Sequence, residues 1–354
     1  MNCTVRLIPS QREFAVAPGE SILDAALRQG VALPYGCRSG SCGACACGLI
    51  SGRIDYPEGP PLGLSDEEIA QGLILACRAH PQEAVVIEAQ ELAGLGDVVI
   101  KTLPARVVKM ERMNHDTMRV LLKLPVVERL QFLAGQYVDI LLRDGARRSF
   151  SLANAPHDDE LLELHIRHIP GGEFTTKVFA EMQEKALVRL QGPLGTFYLR
   201  EDSSRPILLV GGGTGFAPLK AIVEHAFHTG LRRPIHLYWG ARQPRDLYLP
   251  DLPQQWSDEH GNVAYTPVLS DPGSGWQGRT GWVHDAVVED YPDLSAYDVY
   301  MAGPPPMITA AKGAFLAAGL PYEHLFFDSF DFAPDVQAKL DALADAARQV
   351  EQGY

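Results

Sequence analysis

The stretch PYGCRSGSCGACACG, residues 34–48, places four cysteines within eleven positions: Cys37, Cys42, Cys45 and Cys47. Glycine, alanine and serine fill most of the gaps between them. Such small residues let a backbone pass close to a bound centre and adopt dihedral angles that larger residues avoid. The stretch therefore predicts a tight loop around disulfides, zinc or an iron–sulfur cluster.

The spacing separates these three alternatives. Cys37, Cys42 and Cys45 follow a C-x4-C-x2-C pattern, and Cys77 comes after 31 intervening residues. This is the spacing of a plant-type [2Fe–2S] site, whereas zinc ribbons favour two matched short pairs. Cys37, Cys42, Cys45 and Cys77 are therefore the predicted cluster ligands. Cys47 lies two residues beyond Cys45, and we expect it on the same strand face as a small buried hydrophobic residue.

The composition excludes several classes of function. The chain has 354 residues, 46% of them hydrophobic and 21% charged, enough for two or three domains with cores. Its net charge of −13 argues against nucleic-acid binding and against an anionic membrane surface. No apolar run approaches the roughly 20 residues of a membrane span, and the N-terminus lacks a signal-peptide core. We expect a cytoplasmic location, where disulfides are rare.

The apolar pattern changes twice along the chain. The N-terminal part alternates like short strands and contains a helix that Ser21 opens with Asp24. From Leu103 to about Arg200, segments such as 137–142 and 162–167 alternate, which predicts antiparallel strands with one buried face.

The C-terminal part has a different pattern. From about Arg205, apolar strands at 207–210, 235–239 and 299–302 alternate with helical segments. This alternation predicts a parallel, doubly wound sheet. Residues 334–350 carry a narrow apolar stripe at helical spacing, which predicts a terminal helix. This helix either docks on the preceding domain of the same chain or mediates self-association or partner docking.

Four further motifs complete the pattern. They are RRSFSLANAP at 147–156, HIRHIPGGEFTTKVF at 165–179, VGGGTGFAPL at 210–219 and MAGPPPM at 301–307. The third follows an apolar strand and opens a helix, yet it is neither the G-x-G-x-x-G fingerprint nor a P-loop. Its glycines let the backbone approach a pyrophosphate, and Pro218 suits the first helical turn.

With these motifs, residues 1–91 resemble a plant-type ferredoxin domain, and the chain to Phe330 resembles the ferredoxin–NADP⁺ reductase superfamily. Together they resemble fused reductases that serve bacterial oxygenases or CDP-6-deoxy-glucoseen reduction. The resemblance implies a multidomain α+β and α/β fold: a β-grasp ferredoxin domain (1–91), a linker (92–102), an antiparallel β-barrel flavin domain (103–203), a doubly wound parallel-sheet NAD domain (204–330) and a helical tail (331–354).

The resemblance also implies the site residues. In the flavin domain, Arg148 contacts a flavin phosphate, Phe150 stacks on the ring and Ser151 lies beside N5. A second segment cradles the pyrophosphate of FAD at a helix start: Gly171, Gly172 and Thr175. Thr175 is alternatively a plain N-cap.

The same resemblance places the nicotinamide nucleotide. It implies contacts from Gly212, Gly213, Thr214, Gly215, Gly303 and Pro304, with Phe330 at the flavin face. Phe330 is equally consistent with a buried core position. Arg242 or Arg245 is the possible 2′-phosphate contact, and each is equally consistent with a solvated loop arginine. The family has a cysteine where this chain has Ala302. The implied cofactors are a [2Fe–2S] cluster, FAD and NADH, with NADPH possible.

The implied activity is an NAD(P)H-dependent electron transfer. A hydride passes to FAD, and single electrons leave through the cluster to a partner protein, either a dehydrase or an oxygenase component. The implied catalytic residues are Ser151 and Phe330. A redox sensor or regulatory binding module is the alternative of a different class, and intact flavin and nicotinamide motifs argue against it. We expect no nucleic-acid partner and no membrane insertion.

Overall fold

The computed structural model describes residues 2–92, 99–331, 336–337 and 340. The chain divides into two compact units, Met1–Val99 and Ile100–Tyr354. The predicted flavin and nicotinamide domains thus share one unit. The predicted boundary between residues 203 and 204 stays a prediction.

The first unit is built on a five-stranded mixed sheet. Its strand order is β2-β1-β7-β3-β5, in which β1 and β7 are parallel and the other neighbours antiparallel. A two-stranded sheet joins β4 to β6. The elements are β1 (Cys3–Ile8), β2 (Glu13–Val16), α1 (Ile22–Arg28), β3 (Ala46–Ser51), β4 (Ile54–Asp55), α2 (Asp66–Ala70), β5 (Leu73–Leu75), β6 (His80–Pro81) and β7 (Val85–Glu88).

Alternation along β1 builds the core of this unit. Val5 and Leu7 are fully buried, whereas the alternate residues Thr4 and Arg6 are exposed. Helix α1 covers the sheet and starts as predicted, because the hydroxyl of Ser21 accepts a hydrogen bond from the Asp24 N–H at 3.1 Å. The predicted β-grasp-type domain with its own core is confirmed.

The second unit begins with a six-stranded antiparallel sheet of order β11-β10-β13-β8-β9-β12. A bridge between Leu152 and Leu164 joins its two edges, so the sheet closes into the predicted barrel. The elements are β8 (Lys101–Arg112), β9 (Thr117–Lys123), β10 (Tyr137–Leu141), β11 (Arg147–Ser151), β12 (Leu162–Arg167), α3 (Glu173–Ala180) and β13 (Leu187–Leu194). Strand β8 begins two residues inside the predicted linker.

A six-stranded sheet, parallel throughout, follows in the same unit, with order β17-β16-β15-β14-β18-β19. This confirms the doubly wound prediction. The elements are β14 (Ile207–Gly212), α4 (Phe216–His228), β15 (Ile235–Ala241), α5 (Asp251–Glu259), β16 (Val263–Leu269), β17 (Arg279–Thr280), α6 (Val283–Asp290), β18 (Asp298–Gly303), α7 (Pro305–Ala317) and β19 (Leu325–Ser329).

The strand order of this sheet reverses at one place. From β14 the chain builds outward through β15 to β17, and then returns to add β18 on the other side of β14. Ligands of open α/β sheets bind at the carboxyl ends of the strands beside such a reversal. The β14 and β18 ends therefore mark the expected nucleotide site.

The predicted C-terminal helix lies outside the described residues, apart from Val336, Gln337 and Leu340. Within the described part of the chain, no helix combines the length and the apolar character needed to cross a membrane.

Candidate functional site

The four predicted cluster ligands form two pairs in the first unit. The Sγ atoms of Cys37 and Cys42 lie within 4.8 Å of each other, and Cys45 and Cys77 are buried in one core, where the Ala76 N–H donates to the Cys45 carbonyl oxygen at 3.1 Å. None of the four is in a disulfide. Two thiol pairs are the donor set that a cluster of two irons requires.

Backbone N–H groups point at these sulfurs. Ser39 and Cys42 each donate to the Cys37 Sγ at 3.4 Å, and Ala44 donates to the Cys42 Sγ at 3.5 Å. Such donors stabilise negative charge on thiolates and on a reduced cluster. The Cys42 thiol lowers the pKa of Cys37 to about 5, and the same interaction raises the pKa of Cys42. Within this pair, Cys37 is therefore the thiol that most readily becomes the thiolate that binds metal.

Close packing explains one of the loop glycines. Gly43 has a φ of +78°, and a Cβ at this position would lie 2.9 Å from the carbonyl oxygen of Gly63. Any larger residue would separate the two loops. Cys47, in contrast, is 6% exposed within the core, and burial raises its pKa to about 12. Its environment is that of a packing residue.

The predicted flavin strand is β11. Its Phe150 ring lies 5.6 Å from the ring of Phe174, the second residue of α3, so the strand passes beside the start of that helix. Arg148 lies on the same strand and donates from Nη1 to the Arg147 carbonyl oxygen at 2.9 Å. The structure therefore brings the two predicted phosphate-binding segments together.

Thr175 is not an N-cap. The cap of α3 is Gly172, which follows Gly171 at a φ of +77°, and Thr175 is the third helical residue. The Thr175 hydroxyl accepts from the Ile169 N–H at 3.1 Å and lies 3.2 Å from the Gly172 carbonyl oxygen. It holds the glycine turn in shape, and the helix N-terminus offers its N–H groups to an anion.

The hydroxyl of Ser151 meets a carboxylate that the sequence motifs did not single out. Its Oγ donates to the Oδ2 of Asp328 at 3.2 Å, and both residues are buried. Asp328 lies on β19, two residues before Phe330, whose N–H donates to the Gly303 carbonyl oxygen at 2.9 Å. The end of the flavin strand is thus joined to the nicotinamide half.

The glycine-rich loop after β14 packs directly on β18. A Cβ on Gly215 would lie 1.9 Å from the carbonyl oxygen of Ala302, and a Cβ on Gly303 would lie 3.1 Å from the Gly212 nitrogen. Only glycine permits this approach. Ala302, at the position of the family's cysteine, is fully buried beneath the loop.

A cleft of about 230 Å³ opens at these strand ends. The predicted residues that line it are Gly212, Gly213, Thr214, Arg242 and Pro304. Arg242 is exposed at the opening, where its charge faces solvent. On the opposite wall, the Arg167 Nη1 is 3.4 Å from the position of a Cβ on Gly213. The cleft therefore lies between the barrel and the parallel sheet.

These residues fit the implied groups. The cysteine loop supplies four thiols and N–H donors for a cluster. The α3 N-terminus and β11 supply anion donors and an aromatic ring for FAD, and the cleft supplies close backbone approach for a dinucleotide. Asp328 was missed because nothing near it in the sequence marks it, and only the register of β19 places it beside Ser151.

Three family descriptions match the chain. "2Fe-2S iron-sulfur cluster binding domain" covers residues 5–82, "Oxidoreductase FAD-binding domain" covers 104–198, and "Oxidoreductase NAD-binding domain" covers 209–313.

Known proteins match over nearly the full length. CDP-6-deoxy-L-threo-D-glycero-4-hexulose-3-dehydrase reductase of Yersinia pestis is 39% identical over 93% of this chain and 99% of that protein. Reductase component 1 of terephthalate 1,2-dioxygenase from Comamonas is 34% identical over 94% of this chain and 99% of that protein. The crystal structure of an Amycolatopsis cytochrome P450 reductase superposes with a TM-score of 0.78 at 37% identity, covering 93% of this chain and 98% of that one.

Proposed function

The chain belongs to the family of fused iron–sulfur flavoprotein reductases, and from that premise we propose roles for its site residues and a class of acceptor. It is an NAD(P)H-dependent oxidoreductase that passes electrons through FAD and a [2Fe–2S] cluster to a partner protein. One observation supports direct transfer between the nicotinamide and the flavin in particular. Ser151 on the flavin strand bonds to Asp328, two residues before Phe330, and Phe330 bonds to Gly303 in the nicotinamide loop.

The nicotinamide loop and cleft bind the dinucleotide. Gly212, Gly213 and Gly215 let the backbone approach its phosphates, and Thr214 and Pro304 line the same wall. Gly303 supports this loop from β18. Arg242 faces the adenosine end, and NADH is the proposed donor.

The flavin segment binds FAD. Arg148 and the α3 N-terminus, shaped by Gly171, Gly172 and Thr175, hold its phosphates, and Phe150 packs against its ring.

Ser151 and Phe330 are the proposed catalytic residues. Ser151 orients the reacting edge of the flavin through its hydroxyl, which Asp328 holds in place, and Phe330 covers the flavin face and excludes water. With NADH and FAD bound, these two side chains would hold the nicotinamide against the reacting edge of the flavin, to which NADH would give its hydride and become NAD⁺. Bound FAD supplies the conversion of a two-electron donor into two one-electron steps.

Cys37, Cys42, Cys45 and Cys77 are the proposed cluster ligands. Held by these four thiolates, a cluster would supply one-electron transfer to the acceptor, with two transfers for each NADH. The proposed location is cytoplasmic, where thiols stay reduced and can hold a cluster.

The proposed acceptor is a dehydrase of the CDP-6-deoxy-hexulose type. It is supported by the 39% identity to the Yersinia pestis reductase, which covers almost all of both chains. An oxygenase component is the second candidate, supported by the TM-score of 0.78 to the cytochrome P450 reductase.

Steady-state assays test the function. We expect rapid NADH oxidation with ferricyanide and with cytochrome c, whereas a redox sensor would show little turnover. Purified dehydrase with its CDP-sugar substrate, and purified oxygenase with its aromatic substrate, are then added in parallel. Product formation with only the oxygenase would overturn the proposed acceptor and leave the reductase activity intact.

A further inference from the structure

A buried polar cluster lies between the barrel and the parallel sheet of the second unit. We call Glu163, His165, Lys220 and Tyr248 the seam cluster. Each of the four is less than 8% exposed. Lysine and glutamate are almost never buried unless they are paired, and here Glu163 pairs with Arg119 at 2.8 Å and Lys220 with Glu224 at 2.9 Å.

His165 links a barrel carboxylate to the cleft wall. Its Nε2 lies 2.7 Å from the Glu163 Oε1, and its Nδ1 lies 3.0 Å from the Tyr248 hydroxyl. Burial lowers the pKa of His165 and raises that of Tyr248, so the ring is neutral and the phenol keeps its proton. Nε2–H therefore donates to the carboxylate, and Tyr248 donates to Nδ1.

Lys220 ties the nicotinamide helix to the flavin strand. It is the fifth residue of α4, which begins at the end of the glycine-rich loop. Its Nζ donates to the Ala153 carbonyl oxygen at 3.0 Å and lies 3.7 Å from the Glu163 Oε1. Ala153 is two residues beyond Ser151. Lys220 thus holds the start of α4, beside the nicotinamide loop, against the segment that follows the flavin strand.

Tyr248 extends the seam cluster to the nucleotide loop. The residue lines the cleft, and its ring packs edge-on against Trp239 at 5.1 Å between centroids. The Trp239 Nε1 donates to the Gly213 carbonyl oxygen at 2.9 Å. A continuous set of contacts therefore runs from Glu163 to Gly213.

Stability alone explains this arrangement poorly. A buried ion pair contributes little net stability, and well-packed apolar residues often replace one without loss. What directional hydrogen bonds add is a fixed geometry. Hydride transfer requires such a geometry, because a misplacement of about 1 Å can cost a factor of 10² in rate.

We propose that Glu163, His165 and Lys220 are positioning residues for hydride transfer, which set the nicotinamide cleft against the flavin strand through Tyr248 and α4. The inference rests on the proposed function. It predicts that breaking the seam cluster slows the chemical step more than it weakens NADH binding.

The test compares two buried tyrosines in the FAD-loaded full chain. Tyr248→Phe removes the hydroxyl that bonds to His165. Tyr238→Phe is the matched control, because its buried ring bonds to Asp290 through the hydroxyl at 2.7 Å and does not line the cleft. Stopped-flow absorbance measures flavin reduction over a range of NADH concentrations, and thermal unfolding is recorded for both variants.

We expect Tyr248→Phe to lower the limiting rate about tenfold with less than a twofold change in the NADH dissociation constant, as loss of one positioned hydrogen bond implies. Tyr238→Phe should keep the wild-type rate. A wild-type rate of flavin reduction in Tyr248→Phe would overturn the inference. The same loss of rate in Tyr238→Phe as in Tyr248→Phe would also overturn it.

Two substitutions of Lys220 provide a second test in case Tyr248→Phe misfolds. Lys220→Met should also slow flavin reduction, and Lys220→Arg, which keeps the charge, should recover part of the rate. Wild-type rates in Lys220→Met would overturn the inference. A wild-type chain that does not oxidise NADH would instead overturn the proposed function, so the two failures are distinguishable.

Discussion

The Oγ of Ser151 lies 3.2 Å from the Oδ2 of Asp328, although 177 positions separate the two residues in sequence. The bond joins the last residue of the flavin strand to the last strand of the parallel sheet. It therefore couples the orientation of a proposed catalytic hydroxyl to the nicotinamide half.

This bond gives the first prediction. Ser151→Ala and Asp328→Asn should each slow flavin reduction by NADH about tenfold to a hundredfold. The first substitution removes the hydroxyl, and the second removes the carboxylate that orients it. FAD content should stay at one per chain. Ser149→Ala is the control, since Ser149 on the same strand bonds to Asp139 at 2.7 Å. Stopped-flow rates equal to the control would contradict the assigned role.

The second prediction separates the two halves of the electron path. Cys42→Ser should abolish the visible absorbance of the cluster and electron delivery to cytochrome c, while NADH–ferricyanide activity survives because reduced flavin can reach small acceptors directly. Cys47→Ala should retain the cluster, since Cys47 is a buried packing residue. Loss of the cluster in Cys47→Ala would reassign the ligands.

The third prediction concerns the glycine loop. Gly215→Ala places a Cβ 1.9 Å from the Ala302 carbonyl oxygen and must displace the loop. We expect a loss of about 1–3 kcal/mol in unfolding free energy, together with weaker NADH binding. Gly313→Ala is the control, because a Cβ there meets nothing within 4 Å. It should be neutral or slightly stabilising within α7. Calorimetry and NADH titration measure both effects.

The fourth prediction is a pH dependence of stability. Burial lowers the pKa of His165 in the folded chain, so its protonation favours the unfolded chain. Below an unfolded pKa of about 6.5, unfolding free energy should fall by about 1.4 kcal/mol per pH unit on this account, until the folded pKa is reached.

Urea unfolding between pH 7.5 and 5 measures that slope. His165→Gln should be less stable than the wild type at pH 7.5, but its unfolding free energy should change less between pH 7.5 and 5. His236→Gln provides a comparison, because burial also lowers the pKa of His236 and the residue lies outside the seam cluster. An unchanged slope in His165→Gln would show that the ring is not kept neutral by the fold.

Local patterns predicted much of the fold. Strand β12 has the predicted limits, and Ser21 caps α1 as its spacing with Asp24 indicated. These features depend on neighbours within a few residues. Thr175 shows the limit of such reasoning, because the turn at Gly171 starts the helix earlier and commits the threonine hydroxyl to Ile169.

Long-range pairings could not be predicted in this way. Asp328 meets Ser151 only through the register of β19, and Lys220 meets Ala153 only because α4 packs against the barrel. A signal for the seam cluster was present, since Glu163 and His165 share one face of β12 and alternate with the apolar residues Leu162, Leu164 and Ile166. A lysine within the apolar face of α4 was a second signal. Neither signal identifies the residue with which the side chain pairs.

The separate core of the first unit has a consequence for how such chains can change. All four proposed ligand cysteines and the apolar residues that support them lie before residue 99, while every residue that meets NADH or FAD in our proposal lies after residue 100. Recombination at that boundary would exchange the segment that carries the proposed cluster ligands and keep the segment that carries the proposed nucleotide contacts.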